Sequence, residues 1–336
     1  MTSPPPRRSA SSTPRSSSWE PSLAERWPIS RDVDLAVARL QAGGLVVIPT
    51  ETVYGLGADA ENPAALARVF AVKGRPLGHP LIVHLPDAAA LDDGWAAGVP
   101  DAASVLATAC WPGPLTLLLR RGPRVLDDVT GGRDTVGLRV PAHPLTQRLL
   151  RRSGRAIAAP SANRFGRVSP TTADHVATDL GARLDPARDL ILDGGPCPVG
   201  VESTIVDCSV DPPQLLRPGG IAGEDIERLL GRPLDGASGP IRAAGMLASH
   251  YAPGAAVELA SDRADAERLV DAHRRAGRVS TVIAGTGDLV VDARDLYTRL
   301  RAADDEGADV IVAVLPPADG LGHALRDRLT KAAAPR

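Results

Sequence analysis

Two neighbouring stretches, IPTETVYGLGADA at residues 48–60 and KGRPLGHPLIVH at 73–84, carry the strongest structural signal in this sequence. The first completes the apolar strand LVVIP and continues with the polar run Thr-Glu-Thr. The second places Lys73 and Arg75 after a predicted helix, with Pro76 fixing the backbone that follows. Open α/β sheets bind ligands beyond the carboxyl ends of their strands. A rigid backbone also keeps an arginine fork aimed at an anion. The two stretches therefore predict an α/β fold with an anion-binding site.

Length and composition narrow the classes of protein. A chain of 336 residues predicts two domains. A formal net charge of −2 argues against a nucleic-acid binder that uses its whole surface, so an anion site must be local. Cys110, Cys197 and Cys208 form no CxxC pair and are odd in number. They argue against a disulfide framework or a zinc site and favour a reduced, cytoplasmic protein. No apolar run is long enough to cross a bilayer.

The chain divides into four predicted segments. Residues 1–26 are expected to be a disordered tail, because the first 19 residues are rich in Pro, Ser and Arg and contain no acidic residue. A transit peptide has a similar composition, but the prolines of this segment oppose its amphipathic helix. Strands and helices interleave over residues 27–221, which predicts an α/β domain. Residues 222–254 are interpreted as a linker after a short helix, and 255–336 as a smaller α/β unit.

The helix before Lys73 has clear boundaries in the sequence ENPAALARVFAVKG. Asn62 is the predicted N-cap, Pro63 occupies the first helical position, and Gly74 ends the helix. Lys73 could be a solvated charge at a helix C-terminus. Its rigid neighbourhood, and the strand that follows with His84, favour a phosphate contact instead.

Three further motifs place polar groups beside apolar strands. APSANRFGRVSP at 159–170 offers Ser161, Asn163 and Ser169, which suit phosphate oxygens but also suit an ordinary turn-rich loop. Arg139 in VGLRV is expected to meet a carboxylate, from the protein or from a ligand, since a buried arginine needs a partner. GVESTIVD and LLRPGG supply Glu202, Ser203, Thr204 and Arg217.

The same polar run at the start of the sheet has simpler readings. Thr50 could be a turn hydroxyl that satisfies its own backbone. Glu51 could be an ordinary exposed acid. No G-x-x-x-x-G-K-[ST], G-x-S-x-G or H-E-x-x-H motif occurs, which argues against P-loop ATPases, serine hydrolases and zinc enzymes.

Taken in order, the motifs resemble one family. PTETVYGLG, KGRP, HPLIVH, WPGPLT, VGLRVPAHP, APSAN, SPT, GVESTI and LLRPG are similar to the threonylcarbamoyl-AMP synthases, the YrdC-domain proteins, over about residues 28–220. HYAP, LYTRLRAAD and GLGHALRDRLTKAA resemble the long form, with a C-terminal Rossmann-like domain that looks shortened here. The resemblance implies a twisted mixed-sheet YrdC-like catalytic domain joined by a linker to a smaller Rossmann-like α/β domain.

The resemblance also implies a reaction. L-threonine, bicarbonate and ATP would give threonylcarbamoyl-adenylate and pyrophosphate, with Mg²⁺ accompanying ATP and no metal held by the protein. A tRNA-modifying transferase would accept the product, so tRNA is an indirect partner and no membrane is involved. The enzyme would be a cytoplasmic nucleotidyltransferase that serves threonylcarbamoyladenosine modification beside the anticodon.

By resemblance, the site residues fall into two groups with Lys73 and Arg75 as the catalytic cations. The threonine group is Thr50, His84, Arg139, Ala159 and Ser203. The nucleotide group is Lys73, Leu77, Thr116, Ser161, Asn163, Ser169, Arg217 and Tyr251, where Tyr251 would come from the linker as a flap. Two alternatives remain: a YrdC-type transferase that makes carbamoyl-adenylate, and a noncatalytic module that binds nucleotide or RNA.

Overall fold

The run LVVIP forms a central strand of a large mixed sheet, and a second, smaller sheet follows later in the chain. In the computed structural model, the described residues are 27, 29–238, 243, 245 and 249–335. The predicted N-terminal tail, residues 1–26, lies outside the described residues. The two sheets confirm the predicted α/β class, a mixed sheet joined to a second unit.

Fourteen strands occur in the described residues. Those of the larger sheet are β1 Ile29–Ser30, β2 Val46–Ile48, β3 Gly55–Asp59, β4 Ile82–His84, β5 Leu115–Arg120, β6 Thr135–Arg139, β7 Ile157–Ala159, β8 Leu190–Leu192, β9 Thr204–Asp207, β10 Gln214–Arg217 and β11 Asp235–Gly236. Their order is β1-β8-β2-β3-β7-β4-β6-β5-β9-β10-β11. Those of the smaller sheet are β12 Ala256–Ala260, β13 Ser280–Ile283 and β14 Val310–Val314.

Ten α-helices connect or follow these strands in the same described part of the chain. They are α1 Val33–Gln41, α2 Pro63–Lys73, α3 Asp101–Cys110, α4 Asp127–Thr130, α5 Pro144–Ser153, α6 Ala173–Leu180, α7 Gly223–Leu230, α8 Arg263–Arg275, α9 Leu289–Asp305 and α10 Gly322–Ala333.

Helix α2 begins and ends where its sequence predicts. The Asn62 side chain accepts a hydrogen bond from the Ala65 backbone N–H at 3.1 Å, a cap that stabilises a helix by about 1 kcal/mol. Gly74 adopts the left-handed conformation at φ 63°, which glycine tolerates without a Cβ clash. These two ends fix where Lys73 and Arg75 lie relative to the sheet.

The register of the central strands brings distant sequence motifs together. His84 of β4 pairs with Arg139 of β6 on one side and with Ile157 of β7 on the other. Leu115 of β5 pairs with Thr204 of β9. Because the chain visits these strands in a different order from their order in the sheet, residues far apart in sequence meet at neighbouring strand ends.

The smaller sheet is parallel, with β14 between β12 and β13. Its central strand is apolar and almost fully buried, as expected for a parallel strand covered on both faces. The domain that looks shortened in sequence thus still forms three paired strands with three helices.

The predicted linker, residues 222–254, is not one uniform segment. It begins with α7, which packs on α3 of the first unit, and continues into β11, which pairs parallel with β10. Residues 223–236 are therefore joined to the large sheet. The apolar side of α7 includes the fully buried Ile226, and this side is covered by the first unit.

The two units pack directly against each other. One buried apolar cluster contains Val53 and Val201 of the first unit together with Leu296 and Leu300 of α9. At its edge Arg301 forms an ion pair with Asp179 of α6 at 2.7 Å. The contact between the units is therefore part of the hydrophobic core.

In the part of the chain that the structure describes, none of the helices has both the length and the apolar character needed to span a membrane.

Gly219 lies where two backbone segments come unusually close. A Cβ at this position would lie 2.4 Å from backbone atoms of residues 202–204, so the backbone itself would have to move. We expect Gly219→Ala to lower the free energy of unfolding by about 1–3 kcal/mol. Gly236→Ala is the control, because a Cβ there meets no atom within 4 Å. Urea unfolding of both variants is the measurement. Equal stabilities would contradict the close backbone contact described for Gly219.

Candidate active site

A pocket opens beside the ends of the central strands. It is bounded by residues of the first unit and by Gly245, His250 and Tyr251 of the segment between the two units. The space between its walls, including the open mouth, is about 580 Å³. Nine of the residues proposed from the sequence line it: Thr50, Arg75, His84, Arg139, Ala159, Ser161, Ser203, Arg217 and Tyr251. Arginine and hydroxyl groups therefore converge in one place.

Arg139 is held in a fixed orientation by protein groups. Its Nη2 donates to Glu51 Oε1 at 2.6 Å, its Nη1 to Thr52 Oγ1 at 3.0 Å, and its Nε to the Gly113 carbonyl at 3.2 Å. The carboxylate that the sequence demands for this arginine is thus present within the protein. A guanidinium carries five N–H donors, and these contacts use three of them.

Glu51 is a buried ion-pair partner, so its reading as an ordinary exposed acid is wrong. Its residue is 7 % exposed, and its second oxygen accepts from the Ala142 backbone N–H at 3.0 Å. Burial alone would raise the pKa of the Glu51 carboxyl, but the Arg139 guanidinium beside it lowers that pKa. Glu51 remains charged and keeps the arginine fork aligned.

Thr50 has the role that its turn sequence suggests. Its hydroxyl lies 2.6 Å from the Val53 carbonyl and 2.8 Å from the Thr52 hydroxyl. The backbone N–H groups of Thr52 and Val53 also donate to it. The Thr50 hydroxyl therefore shapes the loop after β2, and its methyl-bearing side chain forms pocket wall.

Ser203 lines the pocket, and its hydroxyl is held by two neighbouring side chains. Its Oγ lies 2.7 Å from Thr116 Oγ1, and Arg217 Nη2 donates to it at 3.1 Å. Arg217 also holds the Ser203 carbonyl through Nε and Nη2. Thr116 itself does not line the pocket, so it acts by orienting Ser203.

Lys73 supports the pocket from behind. It is 3 % exposed and does not line the cavity, and its ammonium donates to the carbonyls of Ser161 and Asn163. Burial, with Arg75 nearby, holds the pKa of Lys73 well below its usual value. The geometry makes Lys73 the anchor of the loop that follows β7.

Three other residues proposed for the nucleotide also lie outside the cavity wall. Asn163 donates to the carbonyls of Arg164 and Arg167, which fixes the loop. Ser169 donates to Glu202 at 2.6 Å. Leu77 carries an exposed side chain away from the lining residues, at 77 % exposure, so any contact there would use backbone.

Arg75 is one of three arginines that line the cavity, with Arg139 and Arg217. Its Nη2 donates to the Pro80 carbonyl at 3.1 Å, and its guanidinium lies 5.8 Å from the Phe165 ring centre. Its buried Nε has no hydrogen-bond partner among the described residues. Burial lowers the pKa of Arg75 to about 10, so the group stays charged at neutral pH.

The two histidines of the pocket are neutral at physiological pH. Burial, followed by the nearby Arg139, lowers the pKa of His84 to about 3, and its Nδ1 lies 3.2 Å from the Ile157 carbonyl. Burial also lowers the pKa of His250 to about 3. A neutral imidazole with so low a pKa is a weak base.

Sequence reasoning assigned no role to several residues that shape the site. Thr52, Glu202, Gly245 and His250 line the cavity, although Glu202 and His250 stand inside motifs that were recognised. Tyr297 and Arg328 reach Glu202 from the second unit. Arg328 had no local signal, because an arginine on an amphipathic helix is usually solvated.

Within the part of the chain that the structure describes, no cluster of three or more histidine, cysteine, aspartate or glutamate side chains is suitable for a metal ion. Both carboxylates near the cavity, those of Glu51 and Glu202, are already paired with arginines.

Comparisons with known proteins found matches over both parts of the chain. A family model covering Sua5, YciO and YrdC, described as "Telomere recombination", matches residues 38–219, and one described as "Threonylcarbamoyl-AMP synthase, C-terminal domain" matches 221–334. The threonylcarbamoyl-AMP synthase of Pyrococcus abyssi is 40% identical over 93% of this chain and 96% of its own. That of Bacillus subtilis is 41% identical over 90% and 92%.

A solved structure has the same architecture over most of its length. The crystal structure of P. abyssi Sua5 complexed with L-threonine superposes with a TM-score of 0.84 at 38% identity. The match covers 91% of this chain and 96% of that one, so both units and their packing are included.

The buried histidines predict how stability depends on pH. His84 has a folded-state pKa of about 3, against about 6.5 when unfolded. The unfolded chain therefore takes up a proton first, and stability is lost as pH falls from about 6.5 towards 3. At pH 5 we expect a loss of about 2 kcal/mol from this one group.

Urea unfolding between pH 7 and 4.5 measures this slope. His84→Asn, which keeps a donor near Nδ1, should be less stable at pH 7 but lose less on acidification than the wild type. His323→Asn, at an exposed histidine, is the matched control. An unchanged slope in His84→Asn would show that folding does not lower the pKa of His84.

Proposed function

The chain belongs to the threonylcarbamoyl-AMP synthase family in its two-domain form, and we propose that it joins L-threonine, bicarbonate and ATP in the pocket described above. The products would be threonylcarbamoyl-adenylate and pyrophosphate, which makes the enzyme a nucleotidyltransferase. The observation that carries this proposal is the convergence of Arg75, Arg139, Arg217 and Ser203 on one cavity.

Threonine would bind around Arg139, Ser203, His84 and Ala159, all of which line the cavity. The N–H groups of Arg139 that protein atoms do not use would donate to the threonine carboxylate. Glu51 would keep the arginine fork in position. The Ser203 hydroxyl, oriented by Thr116, would read the threonine hydroxyl. Thr50 would contribute the wall of this part of the pocket.

ATP would be bound by cations that stay charged at neutral pH. Arg75 and Arg217 face the cavity, and Ser161 and Tyr251 line it. Lys73, Asn163 and Ser169 would act indirectly by fixing the loops that carry those contacts. Leu77 would contribute only through its backbone. Mg²⁺ would enter on the phosphate oxygens of ATP, where it neutralises part of their charge.

The chemistry needs no covalent enzyme intermediate. The threonine amine and bicarbonate give a carbamate and water. A carbamate oxygen then attacks the α-phosphorus of ATP, the bond to the β-phosphate oxygen breaks, and pyrophosphate leaves. Fixed cations stabilise the charge that develops on the phosphoryl oxygens, and the pocket holds the reactants in order.

The threonine amine must lose a proton before it reacts, and His84 is a poor candidate for the base that takes it. A His84 pKa of about 3 leaves its imidazole too weak a base to take a proton from an ammonium group. The amine would therefore lose its proton to solvent or bicarbonate before it reacts. His84 instead supplies a neutral, uncharged wall next to Arg139.

The product is a reactive mixed anhydride, so it would be handed to a tRNA-modifying transferase that places threonylcarbamoyl on the adenosine beside the anticodon. We propose a cytoplasmic location, in keeping with the three free thiols, Cys110, Cys197 and Cys208.

The first prediction tests the reaction itself. The purified protein should release pyrophosphate from ATP only when L-threonine and bicarbonate are both present. Threonine-independent release with carbamoyl phosphate would instead support a carbamoyl-adenylate activity. ATP binding without any turnover would support a noncatalytic module.

Arg75 is the most direct test of the phosphate contacts. Arg75→Ala should lower threonine-dependent pyrophosphate release about a hundredfold or more, since a charge-assisted contact in a dry site contributes about 3–4 kcal/mol to the transition state. Arg120→Ala, at an exposed position of β5, is the control. A wild-type rate in a folded Arg75→Ala protein would exclude this role.

Substrate choice tests the threonine end. Loss of the hydroxyl leaves a buried polar group unpaired, at about 1–3 kcal/mol, so 2-aminobutyrate should be at least about fivefold poorer than threonine in kcat/KM. Serine lacks only a methyl group, worth about 0.8 kcal/mol, and should be intermediate. Pyrophosphate release at saturating ATP and bicarbonate gives all three values.

Ser203→Ala provides the internal control for this order. Without the hydroxyl that reads the substrate, the ratio between threonine and 2-aminobutyrate should shrink. If 2-aminobutyrate equalled threonine in the wild-type protein, the assignment of Ser203 would be wrong.

A further inference from the structure

Glu202 is a carboxylate inside a pocket that must accept polyanions. Its residue is 6 % exposed and forms part of the cavity wall, next to Ser203. Its Oε1 accepts from Ser169 Oγ at 2.6 Å, and its Oε2 accepts from Tyr297 OH at 2.8 Å. Unpaired, this charge would repel the phosphates of ATP at short range in a medium of low dielectric constant.

Arg328 of α10 supplies the opposite charge from the second unit. It is fully buried, and its Nε donates to Glu202 Oε2 at 2.7 Å. Its Nη1 donates to the Pro218 carbonyl at 3.0 Å and to Asp327 Oδ2 at 2.5 Å, a carboxylate that Lys331 also pairs with at 2.7 Å. Its guanidinium lies 5.1 Å from the ring centre of Tyr251. One arginine thus touches both the Glu202 carboxylate and a tyrosine of the cavity wall.

The same helix also holds the segment that carries Tyr251. Lys331, one turn beyond Arg328, donates to the Gly245 carbonyl at 2.6 Å. The Lys331 carbonyl in turn accepts from the His250 backbone N–H at 3.2 Å. Helix α10 therefore contacts the pocket wall at two separate places.

The charge balance around Glu202 depends on this contact. Burial alone would raise the pKa of Glu202, but Arg328, followed by Arg217, lowers it to about 2, so the carboxylate is ionised at neutral pH. Arg217 is itself a pocket residue proposed to contact ATP. Without Arg328, the Glu202 charge would draw on Arg217 and reduce its attraction for phosphate.

We propose that Arg328 is a positioning residue for the nucleotide, neutralising Glu202 and holding it against Ser169 so that the pocket can accept ATP. This inference rests on the proposed function, since it assumes that ATP is the polyanion. It makes the second unit a working part of the active site, although Arg328 does not itself line the cavity.

A charge-rescue experiment separates this role from a merely structural one. Arg328→Met keeps much of the side-chain volume and leaves Arg217 to balance the Glu202 charge, so KM for ATP should rise about tenfold or more, while KM for threonine changes less than about threefold. Glu202→Gln combined with Arg328→Met removes the unpaired charge and should bring KM for ATP back to within about threefold of Glu202→Gln alone.

Arg326→Met is the matched control. Arg326 lies on the same helix but contacts the Pro316 carbonyl of its own unit, so both KM values should stay at the wild-type level. Arg328→Lys, which keeps the charge but loses the fork, should fall between wild type and Arg328→Met.

Two outcomes would overturn the inference. One is an unchanged KM for ATP in Arg328→Met that folds like the wild type. The other is a double variant as impaired as Arg328→Met alone, which would mean that packing and not charge is lost. If Arg328→Met does not fold, comparison of the double variant with Glu202→Gln and of Arg328→Lys with wild type decides the question.

Failure of the proposed function would be recognised separately. A wild-type protein that released no pyrophosphate would refute the reaction. Calorimetric titration with ATP would still compare wild type, Arg328→Met and the double variant, and the same order of affinities would still be expected.

Discussion

The ion pair between Glu51 and Arg139 is the constraint around which the pocket is built. Both groups are buried, and removing either partner would leave an unpaired charge in the interior, which is strongly unfavourable. Their contact joins the loop after β2 to the end of β6, and Thr52 and Gly113 complete the set of partners. His84 lies next to Arg139 in the neighbouring strand, and burial, followed by that cation, lowers its pKa and keeps its imidazole neutral.

Local features of the fold could be predicted from the sequence because their causes are local. The ends of α2 follow from Asn62, Pro63 and Gly74, and LVVIP is apolar because β2 is buried on both faces. The resemblance of ordered motifs then identified nine residues that do line one cavity. The ordered motifs could identify these residues because they come from strands and loops spread along the whole first unit.

The parts that could not be predicted depend on contacts between distant residues. The phosphate contact of Lys73 stays a prediction, and the structure shows its ammonium against the carbonyls of Ser161 and Asn163. Nothing in the sequence around Lys73 distinguishes a direct contact from a supporting one. Arg328 is the extreme case, since its partner Glu202 is 126 residues away and its own helix gives it no special pattern.

The buried pair of Glu202 and Arg328 also constrains how this sequence can change over evolution. A substitution of either residue alone passes through a protein with an unpaired charge in its interior, which is strongly disfavoured. A joint change to two uncharged residues avoids that intermediate cost. Among relatives with both units, positions 202 and 328 should therefore covary, and the two domains should be inherited together and not exchanged between lineages.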